Sequence, residues 1–284
     1  MSESSRSKKP SLLRQRVMTA IGLVAGLLVL LVVRGWLAAI AVAVCAALSV
    51  HEECKALRER GHHPIIWPIY AALILSTPLM MLSTHDAAIG AMLLCSFCLV
   101  LGVMWREKAE LMDIVFSAMP LLTVALPALC LVELLSVQPE ALQVMLVVMV
   151  FTISIGCDTA AYFVGSTVGG PKLCPSISPN KTISGAIGGL AGSVALTVLA
   201  GVVFTWIFPD FTGFPPLWAN ALVGLAGGVA AQVGDLFASM VKRYAGIKDF
   251  SHLFPGHGGM LDRLDSILFT SIVIYCYRVI LLAL

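Results

Sequence analysis

The sequence carries little charge, and this excludes a soluble globular domain. Only 12% of its 284 residues are Asp, Glu, Lys or Arg, whereas soluble domains carry about 25%. Hydrophobic residues make up 59% of the chain, and no stretch has the mixed composition of an independent soluble unit. We therefore interpret the chain as an integral membrane protein, with membrane lipids and no nucleic acid among its expected partners.

Two further absences narrow the interpretation. Cys95 and Cys98 form a CxxC pair inside an apolar stretch, and no second pair accompanies them, so these cysteines are better explained as small packing residues than as metal ligands. The apolar run near the N-terminus lacks a prompt small-x-small cleavage site and is longer than the core of a usual signal peptide. We interpret this run as a membrane span, with a cleaved signal peptide as the alternative.

Apolar stretches long enough to cross a bilayer, about 20 residues each, recur along the chain. They predict an all-α integral membrane protein with about nine transmembrane helices. We divide it into N-terminal transmembrane helices over 1–136 and a C-terminal catalytic transmembrane region over 137–284, within one continuous membrane domain. The predicted spans are 17–33, 36–54, 65–83, 87–105, 111–136, 141–166, 183–208, 217–241 and 264–283.

The basic residues predict the orientation. With the N-terminus in the cytoplasm, all of the 18 lysines and arginines except Arg34 and Arg278 fall on the cytoplasmic side, as the positive-inside rule expects. The C-terminus is then outside. The chain also has a GxxxG spacing in two successive predicted spans, which favours close helix packing in the centre of the bundle. These pairs are Gly188 with Gly192 and Gly224 with Gly228.

A densely charged stretch, "KRYAGIKDFSHLFPGHGGMLDRLD" (242–265), lies between two apolar spans. Asp235, Ser239 and Lys242 recur at i, i+4 and i+7, which places them on one helix face. Asp262 and Asp265, at i and i+3, share a face of the next helix. Ionisable residues at a membrane boundary are costly and are therefore candidates for function. Carboxylates without thiolates suit a hard cation such as Mg²⁺.

The cations of this stretch complete a set of groups suited to phosphoryl transfer, in which a metal and basic side chains neutralise phosphate charge. The glycine-rich "PGHGG" permits close backbone approach to a phosphate. We expect His257 to donate a hydrogen bond to a phosphate or to act as an acid–base group. A solvated basic loop is the alternative, but it does not account for the carboxylates at helical spacing. The cations are Lys242, Arg243, Lys248 and Arg263.

Two other polar groups lie upstream. Asp158 follows an apolar run and precedes Lys172 and Lys181, so it is expected to pair with a lysine or to line the site. A buried structural ion pair is the alternative. "HEECKALRERGHHP" (51–64) alternates acidic and basic residues, and we interpret it as a salt-bridged helix end projecting into water.

The stretch from Ser239 to Asp265 resembles the signature of the phosphatidate cytidylyltransferases, also called CDP-diacylglycerol synthases. The family pattern S-x-x-K-R-x4-K-D-x5-P-G-H-G-G-x2-D-R-x-D is complete here. The upstream "DTAAYFVGSTVGGPKL" and "SPNKT" resemble the family's second stretch. The resemblance is strong from Asp158 to Asp265, whereas the N-terminal half is similar only in its many spans.

The resemblance implies transfer of the cytidylyl group of CTP to phosphatidate, giving CDP-diacylglycerol and pyrophosphate, with Mg²⁺ and a second cation for which K⁺ is the candidate. It also raises a homodimer as the assembly. Because no organelle-targeting segment is evident, the expected location is a bacterial inner membrane. Catalytic groups would be Asp235, Asp262, Lys242 and Arg243, the first two as metal ligands. Substrate-binding groups would be Ser239, Lys248, Asp249, His257, Asp265, Lys172, Lys181 and Asp158.

One position departs from the family. Ser184 stands where a Glu or Gln usually precedes the glycine, which raises an inactive paralogue as an alternative. A transporter is the rival of another class, but it predicts midplane charges and inverted repeats, whereas these charges gather at one face. Another membrane enzyme that uses CTP, such as a lipid-alcohol kinase, is a closer rival that lacks this signature. A CDP-alcohol phosphatidyltransferase would show a D-G-x2-A-R run, which is absent.

Overall fold

The computed structural model describes residues 35–82, 84–254, 256 and 258–283. The predicted first span, 17–33, lies outside these residues, and so does His257. Eight helices and one two-stranded ribbon make up the described part. The helices are α1 (Gly35–Arg58), α2 (Trp67–Met81), α3 (His85–Met104), α4 (Leu111–Leu134), α5 (Glu140–Val168), α6 (Ile183–Ile207), α7 (Leu217–Ala245) and α8 (Leu261–Ala283).

Seven of the described helices are long and apolar enough to cross a membrane, and α2 is the exception. The chain is thus a multi-pass membrane protein built almost wholly of helices. The prediction of a span over 65–83 meets a helix of 15 residues, with Pro68 in its first turn and Pro78 inside it. At 1.5 Å per residue such a helix is about 22 Å long, which is less than the roughly 30 Å of a bilayer core.

Helix α4 changes its winding midway. Leu121–Ala125 form a π-helical turn between Leu111–Pro120 and Leu126–Leu134. Pro120 has no N–H to donate and interrupts the helical hydrogen-bond ladder, and the π turn begins at the next residue. The turn contains Thr123, whose hydroxyl faces the buried carboxylate of Glu53 at 3.1 Å.

The segment after α5 forms a ribbon where the sequence predicted a loop. Gly169 and Gly170 have positive φ and end α5, after which β1 (Lys172–Cys174) pairs antiparallel with β2 (Ser178–Thr182). The hydroxyl of Thr182 then accepts a hydrogen bond from the Gly185 amide at 3.1 Å and caps α6. The described fold is therefore helical, as predicted, with one short ribbon between α5 and α6 that the sequence did not predict.

Glycine faces bring α5, α6 and α7 close together. A Cβ at Gly192 would lie 2.4 Å from the Ala160 side chain of α5, and one at Gly224 would lie 2.9 Å from the Val194 backbone of α6. The predicted close packing is therefore confirmed. The expected central place of α6 is wrong: Ile187, Leu199 and Trp206 on this helix are well exposed, and its main partners are only α5 and α7.

The basic loops meet at one end of the bundle. The Arg60 side chain hydrogen-bonds the Tyr244 carbonyl, and that of Arg106 hydrogen-bonds the His63 carbonyl. Arg243 donates to the Ile177 carbonyl of the ribbon at 3.3 Å. Loops that are far apart in the chain therefore share one face of the molecule, and the charged stretch after α7 lies among them.

Candidate active site

An open cavity lies between α5, the ribbon, α6 and α7, with a volume of about 430 Å³. Gly165 of α5 and Gly185 of α6 both line this cavity, and they have no side chains to fill it. Its polar lining comes from three separate elements, α5, β2 and α7, and contains both charge signs. The polar residues are Asp158, Ser166, Asn180, Lys181, Thr182, Gln232 and Asp235, with Tyr162 beside them.

An ion pair between the ribbon and α7 forms the charged part of the cavity. The Lys181 ammonium lies 2.5 Å from the Asp235 carboxylate, and both side chains remain about a quarter to a third exposed, at 27% and 30%. Strand β2 delivers the lysine, and the apolar run of α7 carries the aspartate to the cavity wall. The predicted substrate-binding lysine and the predicted metal-binding carboxylate are thus brought together.

Asp158 of α5, which was expected to pair with a lysine or to line the site, faces the same cavity. Its carboxylate is 3.4 Å from the Ser266 hydroxyl of α8, a long hydrogen bond that links the cavity to the last helix. Gln232, one turn before Asp235, donates to the Ala186 carbonyl at 2.8 Å and thereby ties α7 to the start of α6. Carboxylates from two helices therefore face a common space.

A second ion pair organises the charged stretch. The Lys242 ammonium lies 2.6 Å from Oδ1 of Asp262, and their side chains are only 12% and 3% exposed. Oδ2 of Asp262 accepts the amides of Phe250 at 2.8 Å and Gly259 at 2.9 Å. Asp262 therefore closes the loop between α7 and α8 upon itself, and the structure does not place it among the residues that line the cavity.

Other predicted residues lie around these two pairs. Ser239 is buried on α7 one turn before Lys242. Asp265 lines a narrow crevice together with Glu53, and its Oδ1 accepts the neighbouring Ser266 amide at 2.8 Å. Arg243 is exposed and bridges α7 to the ribbon through the Ile177 carbonyl. None of these three residues is among those that line the cavity between α5, the ribbon, α6 and α7.

Three predicted binding residues are exposed and are not among the residues that line the cavity. Lys172 begins β1, and Lys248 and Asp249 lie in the turn that follows Gly246, the positive-φ glycine at the end of α7. Their side chains are free to reach a ligand that approaches from solvent. His257 lies outside the described residues, so its predicted role stays a prediction.

Ser184 is not among the residues that line the cavity. Its hydroxyl hydrogen-bonds the Gly169 carbonyl at the end of α5 and lies 3.1 Å from the Thr182 hydroxyl. The serine thus fastens the start of α6 to the glycine turn before the ribbon. Loss of the usual Glu or Gln at this position leaves the carboxylates and lysine of the cavity wall in place.

Sequence reasoning missed Glu52 of α1. Its carboxylate contacts the charged stretch, whereas a salt-bridged helix end in water was predicted. That prediction is wrong for Glu52 and for Glu53, which are 6% and 1% exposed. A signal was present, because both glutamates fall within the predicted span 36–54, where an acidic residue is by default a candidate for function.

The donor chemistry fits a hard divalent cation held mainly by substrate. Among the described residues, no three or more His, Cys, Asp or Glu side chains gather into a metal cage. Mg²⁺ is commonly held by one or two carboxylates together with substrate phosphates and water. Asp158 and Asp235 supply carboxylates to one cavity, and Lys181 supplies a cation beside them.

Comparison with known sequences decides the family. The profile of the cytidylyltransferase family matches residues 14–281, which is nearly the whole chain. The chain belongs to the cytidylyltransferase family. Its relatives include a protein named phosphatidate cytidylyltransferase from Mycobacterium bovis, which is 31% identical over 266 residues, covering 88% of this chain and 82% of that protein.

Relatives with the same name are more similar over a shorter region of this cytidylyltransferase-family chain. The protein of Brucella suis is 41% identical over 134 residues, which is 47% of each chain. That of Synechocystis is 42% identical over 125 residues, which is 44% of this chain and 40% of the relative. The match thus spans about half the length, or less, of these two relatives.

Proposed function

We propose that this protein transfers the cytidylyl group of CTP to phosphatidate, releasing pyrophosphate and forming CDP-diacylglycerol for phospholipid synthesis. In this reaction a phosphate oxygen of the lipid forms a bond to the α-phosphorus of CTP. The bond from that phosphorus to the oxygen bridging the β-phosphorus breaks. The names of the relatives and the family match support this choice of substrates.

The observation that carries the proposal is the cavity wall at which Lys181 and Asp235 meet beside Asp158. Two anions must approach each other in this reaction, and the cost of their repulsion is offset by fixed positive charge and a metal ion. The cavity opens between helices that lie in the bilayer and a polar ribbon. This arrangement suits one substrate from water and one from lipid.

The basic side chains suit the phosphates. Lys181 is held at the cavity wall, and Lys172 and Lys248 are exposed. Arg243 is also exposed, with its guanidinium on the Ile177 and Ile247 carbonyls. Lys242 is held by Asp262, so its charge is fixed near the loop. We assign these residues, with Ser239, Asp249, Asp265 and His257, to substrate binding and charge neutralisation, and the catalytic charges to Asp235, Asp262, Lys242 and Arg243.

Asp235 would hold Mg²⁺, with Asp158 as a second carboxylate on the same cavity and Asp262 as the ligand expected from the family. Bound there, the metal would draw phosphate oxygens together and neutralise developing charge. A carboxylate offers about four lone-pair sites, and Asp262 uses three of them for Lys242 and two amides. One lone pair thus remains for a cation. K⁺ is the proposed second cation.

The proposed setting is a bacterial inner membrane, with the N-terminus and the cavity mouth on the cytoplasmic side and the C-terminus outside. The convergence of the basic loops at one end supports this orientation, because positive loops are retained in the cytoplasm. CTP is a water-soluble nucleotide, so a cytoplasmic mouth gives it access. A homodimer is the proposed assembly.

Turnover of labelled CTP by the purified protein tests the proposal. With phosphatidate and Mg²⁺ in detergent, we expect lipid-linked CMP and pyrophosphate in equal amounts. We expect no product when EDTA removes the metal, and none when diacylglycerol replaces phosphatidate. Asp235→Asn removes the charge that faces Lys181 and is expected to lower turnover by about 1,000-fold or more. Product that forms with another acceptor in place of phosphatidate would contradict the substrate assignment.

The matched control is Asp210→Asn, which changes an exposed aspartate in the turn between α6 and α7. Turnover by this variant is expected to stay within about twofold of the native value, since surface substitutions away from a site change energies little. Near-native turnover by Asp235→Asn would remove this residue from the metal site.

A further inference from the structure

Glu52 of α1 joins the N-terminal half of the chain to the charged stretch. Its Oε1 accepts the Ser251 hydroxyl at 2.6 Å and the Met260 amide at 3.0 Å, and its Oε2 accepts the Leu261 amide at 2.8 Å. One carboxylate thus receives three hydrogen bonds from a segment about 200 residues away in the chain. Charge-assisted bonds of this kind are about twice as strong as neutral ones.

Glu52 contacts both ends of the loop between α7 and α8, whereas a residue that only caps α8 would contact one end. The amides of Met260 and Leu261 belong to the start of α8, where a carboxylate is a favourable partner for unpaired N–H groups. Ser251 lies at the opposite end of the loop, directly after Phe250. Glu52 therefore clamps both ends of the loop 251–260, and capping α8 would need only one of them.

The second carboxylate at the loop is Asp262, which holds the Phe250 and Gly259 amides from the α8 side. Glu52 holds the adjacent residues Ser251 and Met260 from the α1 side. The loop that carries the family signature is thus fixed between two carboxylates, one from each half of the chain. Glu52 is itself buried, as are Val50 and Cys54 on the same helix.

We propose that Glu52 is a positioning residue for the cytidylyl transfer, acting by holding the 251–260 loop and, through it, Asp262 and Lys242. Only the expected effect on turnover rests on the proposed function. The loop geometry can be tested without turnover. Glu52 itself lies outside the cavity lining and is not expected to touch either substrate.

The first test removes the carboxylate. Glu52→Ala is expected to raise hydrogen exchange at the amides of 250–261 in the detergent-solubilised protein, while exchange in α5 and α6 stays native. CTP turnover should fall by about 10- to 100-fold, the effect of losing charged hydrogen bonds that hold a site. Glu52→Gln, which retains one acceptor oxygen, should restore part of both. Glu59→Gln, an exposed glutamate beyond the same helix, should match the native protein.

Ser251→Ala separates positioning from capping. This variant removes the contact at the far end of the loop and leaves the amides of α8 on Glu52. A capping role predicts native turnover, whereas positioning predicts a fall of about 3- to 10-fold with raised exchange at 250–254. Native turnover and native exchange in this variant would overturn the proposal.

Gly259 offers a geometric test that does not depend on removing Glu52 first. A Cβ at this position would lie 2.5 Å from Oε2 of Glu52, so Gly259→Ala must displace the loop or the glutamate. We expect raised exchange across 250–261 in this variant, and a smaller additional change when it is combined with Glu52→Ala, because the clash is then relieved. Fully additive effects would contradict the contact.

The outcomes distinguish the two proposals. If the native protein makes no CDP-diacylglycerol, the proposed function fails, yet the exchange measurements still decide whether Glu52 holds the loop. If the native protein turns over and Glu52→Ala does so equally well, the positioning role fails and the proposed function stands.

Discussion

At the scale of single residues, Asp262 combines two tasks that a sequence pattern cannot separate. Its Oδ1 neutralises Lys242, and its Oδ2 binds two loop amides. A carboxylate buried to this degree must be paired and hydrogen-bonded, since an isolated buried charge is very costly. The same side chain therefore sets the loop geometry and fixes a positive charge at the end of α7, whether or not it also holds a metal ion.

Asp262→Asn is expected to fail in a different way from Asp235→Asn. The amide group places an N–H₂ against either the Lys242 ammonium or the loop amides, so one side of the contact becomes repulsive. We expect lost turnover together with raised hydrogen exchange over 250–260. Asp235→Asn should lose turnover with native exchange in this loop. Exchange measurements on both variants check this, and equal protection of the loop in the two would contradict the structural role of Asp262.

The sequence predicted the residue types of the site better than their partners. Helical spacing placed Asp235 and Lys242 on one face, and both indeed form ion pairs at the same end of the bundle. It did not show that Asp235 pairs with Lys181 and that Lys242 pairs with Asp262. Those pairs join different elements, and spacing along one helix carries no information about how the next element packs against it.

At the scale of elements, the approach of α6 to α5 depends on residues without side chains. A Cβ at Gly185 would lie 2.8 Å from the Ala161 carbonyl oxygen and 3.2 Å from the Gly165 Cα. Backbone atoms cannot move aside as a flexible side chain can. Because Gly165 and Gly185 also line the cavity, the packing of these two helices determines the shape of the site.

Gly185→Ala is expected to separate the start of α6 from α5. The overpacking should lower the free energy of unfolding by about 1–3 kcal/mol and raise the KM for CTP, because Lys181 and Thr182 lie directly before α6. Gly90→Ala on α3 is the matched control, since a Cβ there meets nothing within 4 Å. That variant should be as stable as the native protein or slightly more stable. Thermal unfolding in detergent measures both, and equal stability of the two variants would contradict the close contact.

Hydrophobic runs predicted the later helices well and the structures between them poorly. The predicted spans 141–166, 183–208 and 217–241 meet helices at Glu140–Val168, Ile183–Ile207 and Leu217–Ala245. Long apolar stretches have few alternatives in a membrane, because their backbone groups must be satisfied within the segment. The ribbon was missed because its strands are three and five residues long and polar, which leaves no periodic pattern to detect.

At the scale of the whole molecule, the basic residues at the two ends of the bundle differ in their surroundings. The basic loops of one end are exposed or paired near the cavity, whereas Arg278 on α8 lies about 26 Å along the helix axis from Leu261. There it meets Glu133 of α4 at 2.9 Å, with His85 at 3.8 Å, and the glutamate is fully buried. Arg278 is one of the two basic residues that the orientation rule placed outside, and in this structure its charge is neutralised inside the bundle.

The charge distribution therefore predicts the topology, and reporter fusions test it. Alkaline phosphatase folds only outside the cytoplasm, so a fusion after Leu284, or after Asp210 in the turn between α6 and α7, should be active. Fusions after Gly170 or Gly246 should be inactive, because the ribbon and the charged stretch are expected in the cytoplasm. Arg278→Ala should leave this pattern unchanged, since its charge is already paired with Glu133. Activity after Gly246 would place the cavity mouth on the side without CTP and would contradict the proposed access route.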